Sequence, residues 1–120
     1  MAKPDQYIKY RPRDFEIAVK GQPAHVKWGY VVALCYYRCH NHCKGLEDDG
    51  EFLRKICEIE KEDWEKSKPI IFGGFFQLDV NGLWQHAIAF EDYQEDCKNY
   101  ERAIIKAKNA NSIRWGKKKR

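Results

Sequence analysis

The chain has 120 residues, 43% of them apolar, with six Phe, four Trp and seven Tyr, which is enough for the core of one compact domain. Its formal charge of +4 is too mild to name a polyanionic partner, and no uninterrupted apolar run approaches the roughly 18 residues of a membrane span. Met1, Ala2, Lys3, Pro4 and Asp5 form no apolar signal core, and five cysteines, an odd number, suit reduced thiols better than a secreted disulfide framework, so a cytoplasmic protein is expected.

Residues 1–22 are mixed polar and aromatic, broken by Pro4, Pro12 and Gly21. They predict an irregular arm docking through Tyr7, Tyr10, Phe15 and Ile17. Pro23 suits a first helical position, and Val26, Tyr30, Ala33, Leu34 and Tyr37 recur at helical spacing, predicting a long buried helix to about Cys43. Gly45 closes it. Asp48 or Asp49 then caps a short second helix carrying Phe52, Leu53 and Ile56. A third runs from about Lys61 past Trp64 until Pro69 bends or ends it, and the tight turn at residues 58–60 makes the two a helix-turn-helix.

Asn81 and Gly82 sit between runs of strand-forming residues, Phe75 to Val80 and Leu83 to His86, so a hairpin with a type I′ turn is expected. From Ala89 to about Asn109, Phe90, Tyr93, Cys97, Tyr100, Ile104 and Ala107 alternate steps of three and four, the stripe of a long amphipathic helix. Glu91, Asp92, Glu95 and Asp96 open this helix and Arg102, Lys106 and Lys108 close it, which complements its dipole. The expected architecture is mainly α with one β-hairpin: an arm (1–22), a winged-helix-like domain (23–109) with a long C-terminal helix, and a basic tail (110–120).

Charge is distributed unevenly. Residues 47–65 hold nine acidic side chains, whereas no acidic residue follows Glu101. A polyanion is therefore expected to meet one end only. In a winged helix the third helix enters the DNA major groove and the hairpin lies against the backbone. Lys61, Lys66 and Lys68 would contribute from that helix, where Glu60, Glu62, Asp63 and Glu65 oppose them, and His86 from the wing. The stronger candidates are Lys106, Lys108 and Arg114 with Lys117, Lys118, Lys119 and Arg120, which neutralise phosphates, and Trp115, which stacks on a base.

Cys35, Cys39, His40, His42 and Cys43 invite a zinc reading, but on a continuous helix Cys35 and Cys43 lie about 12 Å apart, too far to share one ion with Cys39. No metal or other cofactor is expected, and the thiols read as small core side chains. There is no phosphate-binding Gly-rich loop, no His-Glu-x-x-His and no Gly-x-Ser-x-Gly, and the acidic residues of 47–65 read as exposed helix faces, so an enzyme is not expected.

Several segments together resemble the YdaU-like domains at the start of phage and prophage replication proteins. They are Arg13, Asp14 and Phe15; Trp28, Gly29 and Tyr30 with Leu34, Tyr36 and Tyr37; Gly45 to Asp49 with Leu53; Glu62, Asp63 and Trp64 with Pro69; Phe75 and Phe76, leading through Asn81 to Trp84; and Ala110 to Lys117, similar to that family's Ala…Arg-Trp-x-Lys ending. The resemblance spans about residues 7–117. It implies a winged-helix-like fold and a role near replication initiation, in origin binding or helicase-loader recruitment, and it carries no catalytic residues. The expected function is thus a DNA-binding module. The alternative is a protein adaptor that meets phage or host replication proteins, or pairs with a second copy through the C-terminal helix, without touching DNA.

Overall fold

The computed structural model describes Pro4 and residues 12–118, excepting the side chains of residues 112–118. Tyr7 and Tyr10, two of the expected anchors of the arm, lie outside the described residues. The arm's second half is a helix rather than irregular chain: α1, Pro12–Val19, starts on a proline with Asp14 in its first turn and buries Val19. Phe15 is half-buried, but Ile17 is 67% exposed and does not dock. Gly21, at φ +80°, turns the chain.

Helix α2, Ala24–Cys35, begins after Pro23, which stands at the N-cap and accepts the Val26 and Lys27 amides. Val26, Tyr30 and Ala33 are buried, and Gly29 lets Ile59 and Ile71 come close, since a Cβ there would lie 2.7 Å from Ile59 Cδ1. The helix then widens into a π turn, Tyr36–His40, which buries Tyr37 and Arg38. It stops three residues short of Cys43, because His42 and Cys43 take left-handed φ values of 55° and 56°. Asn41 fixes that exit, donating to the Gly45 carbonyl at 3.0 Å and accepting the Gly45 amide at 2.8 Å.

A short strand that local pattern does not disclose follows, β1, Leu46–Glu47. Asp49 then caps α3, Gly50–Cys57, accepting the Glu51 and Phe52 amides at 3.1 and 3.3 Å. Left-handed Glu58 ends α3, and α4, Lys61–Ile71, carries Pro69 in its last turn and continues two residues beyond it. Strands β2, Gln77–Leu78, and β3, Leu83–Gln85, form the hairpin. The sheet is antiparallel in order β1-β3-β2, with Leu46 opposite Trp84 and Leu78 opposite Trp84 on the other side.

The hairpin turn is not type I′, because Asn81 keeps negative φ and only Gly82 is left-handed, at +79°. The Asp79 carboxylate accepts the Asn81 and Leu83 amides, both at 2.9 Å. That bonding favours a three-residue loop closed by a left-handed glycine.

Helix α5, Ala87–Lys118, absorbs the expected tail into its backbone. Its first turns pack on the π turn, where Tyr93 and Asp96 meet Arg38, whereas every described side chain from Ile104 to Asn111 is exposed. The core centres on Phe76, edge-on to Tyr37 at 5.7 Å and to His86 at 5.3 Å, with Phe72 at 5.2 Å. The fold is therefore mainly helical with a small antiparallel sheet. Among the described residues no helix is long and apolar enough to cross a membrane.

Candidate nucleic-acid interface

Helix α4 offers Lys61 and Lys66 to solvent, but Glu62, Asp63 and Glu65 are equally exposed beside them. Lys68 is half-buried, with Nζ 4.0 Å from Asp48 Oδ1. The same Asp48 oxygen accepts from Trp84 Nε1 at 3.0 Å, which ties the start of α3 to the sheet. A phosphate approaching α4 meets at least as many carboxylates as ammonium groups, so its electrostatics oppose DNA along this helix.

The wing contains no lysine or arginine between Phe75 and His86. Its tip is Val80, fully exposed, above the rigid Asp79 loop. Hydrogen bonds from the Leu83 amide and the Gln85 side chain hold the Asp79 carboxyl below the usual carboxylate range.

His86 has a structural task instead of facing a phosphate. Its Nδ1 accepts the Ala89 amide at 3.2 Å, capping α5, and its Nε2 lies 2.8 Å from the Tyr30 hydroxyl. Because Nδ1 accepts, the hydrogen sits on Nε2 and is donated to Tyr30. Both nitrogens are thus engaged inside the protein, and burial lowers the imidazole's proton affinity below the ordinary value. His86 therefore does not serve as a phosphate contact.

Helix α5 carries the remaining candidates. Arg102, Lys106 and Lys108 are all exposed, at and beyond the point where the helix leaves the core. Arg114, Trp115, Lys117 and Lys118 belong to its last turns, with side chains outside the described residues, as are Lys119 and Arg120 altogether. One helix thus strings the basic positions along one rod, with a rise of about 24 Å from Arg102 to Lys118.

The cysteines do not assemble a ligand set: among the described residues no group of three or more His, Cys, Asp or Glu is placed to hold a metal ion. Cys43 and Cys57 are buried, and desolvation pushes their thiols up to about 11 and about 12, so both stay protonated and serve as core packing.

One buried charge had no signal in the sequence. Arg38 is 1% exposed, donates from Nη2 to Asp96 Oδ2 at 2.9 Å, and lays its guanidinium 4.4 Å from the Tyr93 ring centroid. This pair, 58 residues apart in sequence, fixes α5 to the π turn that follows α2. No protein-family model, curated protein or solved structure matches the chain.

Proposed function

We propose that the protein is a winged-helix DNA-binding module of phage or prophage origin linked to replication initiation, gripping the phosphate backbone mainly through the distal part of α5. The observation that carries this reading is topological. The order α2, β1, α3, α4, β2, β3, with β3 central in the sheet, supports the reading because a helix-turn-helix followed by a hairpin is what a winged helix requires. Such folds place the second helix of the helix-turn-helix and the hairpin beside DNA. Here the acidic face of α4 argues against base reading by that helix, and the charge that suits phosphate lies on Arg102, Lys106, Lys108 and the residues after them. Modest sequence preference and steep salt dependence follow. The phage and replication setting rests on the family resemblance alone.

The test is fluorescence binding to single- and double-stranded DNA across a salt series, using the intact chain and two variants. One replaces Arg102, Lys106 and Lys108 with Gln; the other replaces Arg114, Lys117, Lys118, Lys119 and Arg120 with Gln. Glutamine keeps helix propensity. For each phosphate that a variant no longer neutralises, the slope of log K against log salt should flatten by about 0.9 on duplex DNA. Absence of binding at low salt would transfer the protein to the second reading, an adaptor for another replication protein. That reading is favoured by Ile104 and Ile105, 37% and 58% exposed on the part of α5 that leaves the core.

A further inference from the structure

Where α5 leaves the domain, one of its faces carries more than a phosphate grip uses. Asp92 and Asp96 are buried and mark the side that the helix turns inward. At about 100° per residue, Ile105 falls nearly opposite them, with Arg102 and Asn109 beside it at steps of three and four. All three are exposed, as is every described side chain from Ile104 to Asn111, so this outward face presents a cation, a branched apolar group and an amide. Lys106 lies on one flank of the face and Lys108 on the other, both exposed.

Two of these residues do little for the helix itself. Asn is among the weaker helix formers, and Ile105 keeps 58% of its surface in water in the middle of a basic segment. Contact with a partner accounts for both, and the edges of base pairs in the major groove match the set. Asn pairs bidentately with adenine N6 and N7, Arg with guanine O6 and N7, and an apolar side chain packs on the thymine methyl.

The dimensions agree. From Arg102 to Asn109 the helix rises about 10 Å, or about three base-pair steps of about 3.4 Å. A helix with its side chains is about 10–12 Å across and the major groove about 12 Å wide, so a helix clear of its domain can lie in the groove. With the outward face turned to the bases, Lys106 and Lys108 approach the phosphates of the two strands that wall the groove. No acidic residue follows Glu101, so nothing beyond it on this helix repels those phosphates.

We propose that the projecting half of α5 reads duplex DNA in the major groove, with Asn109 selecting adenine, Arg102 guanine and Ile105 the thymine methyl, while Lys106 and Lys108 hold the backbone. The inference rests on the DNA-binding reading and deepens it, because it makes α5, rather than the acidic α4, the helix that distinguishes one short sequence from another.

The probe is a duplex library randomised at its centre, enriched on the full chain and sequenced. The native chain should enrich a short element containing adenine and guanine and bind it at least about tenfold more tightly than a scrambled duplex. Asn109→Ala, which favours the helix, should lose the adenine preference by at least about fivefold while the slope of log K against log salt stays unchanged. Lys108→Gln should do the reverse, keeping the enriched element and flattening that slope by about 0.9. Steep salt dependence without an enriched element would overturn the inference and leave the phosphate grip standing. So would an Asn109→Ala chain that enriches the native element unchanged, or binding confined to single strands. Absence of any binding at low salt would remove the DNA reading itself, and this inference with it.

Discussion

His86 shows how one side chain can be claimed by the fold before it reaches a ligand. Its Nδ1 completes the α5 cap and its Nε2–H is donated to Tyr30, an arrangement that only the neutral ring can make. Burial, the principal cause, lowers its pKa below the 6.5 it has when unfolded. Between the two values the unfolded chain binds more protons than the folded one, so stability rises with pH there. The contribution is complete above about 6.5 and is lost as pH falls through the folded value. Urea midpoints for the native chain should therefore drop between pH 7.5 and pH 5. In His86→Asn, which keeps a capping oxygen but does not titrate, that decline should be smaller. Parallel declines in both proteins would sink the assignment. The neighbouring Arg38–Asp96 pair acts differently: its charges compensate one another, and removing Asp96 would take from the buried Arg38 guanidinium the carboxylate it is paired with.

At the scale of elements, the wing tests how backbone conformation sets the turn. Gly82 sits at φ +79° with open space around it, so an added Cβ would meet no neighbour and any cost is conformational. Gly82→Ala should lose about 1–2 kcal/mol in urea unfolding, and Gly82→Asn clearly less, because Asn tolerates left-handed backbone. Equal costs would mean that sterics, not φ, govern the site. This hairpin was legible from Asn81 and Gly82, and the α3 cap was legible as one of Asp48 and Asp49, of which Asp49 makes it, because each is signalled by residues within the turn itself. The type of turn was not, since it depends on which amides the Asp79 carboxylate accepts. Strand β1 was also hidden: two residues become a strand only by pairing with β3, nearly forty positions later. The π turn and the left-handed His42 and Cys43 cut the first helix short without a glycine or proline to announce it. For the candidate site, the exposed basic positions could be read directly, whereas the burial of Arg38 depends on a distant aspartate and the withdrawal of His86 on its bonds to Tyr30 and the start of α5.

On the scale of the whole molecule, the radius of gyration is 19.1 Å and the principal extents are 71 × 30 × 23 Å. A compact chain of this length would have a radius near 14 Å. The excess reflects α5, whose first turns are anchored by Asp96 and Tyr93 while residues 104–111 are exposed. The anchored turns supply the costly nucleus from which the projecting half can propagate. Because α5 begins at Ala87 and runs to Lys118, its first turn holds no acidic residue, so the dipole match expected of a helix from Ala89 to Asn109 is not realised at its start. This shape sets the exposed Arg102, Lys106 and Lys108 apart from the acidic α3 and α4 surfaces, as the proposed phosphate grip requires. Small-angle scattering at low concentration should therefore give a radius near 19 Å, and limited trypsin digestion should cut first after Arg102, Lys106 or Lys108. A radius near 14 Å would mean that α5 folds back on the domain and the exposed basic rod does not exist in solution. A radius and mass that rise with concentration would show pairing through the exposed half of α5, around Ile104 and Ile105, and would favour the adaptor reading over the phosphate grip, because pairing would occupy the surface that DNA needs.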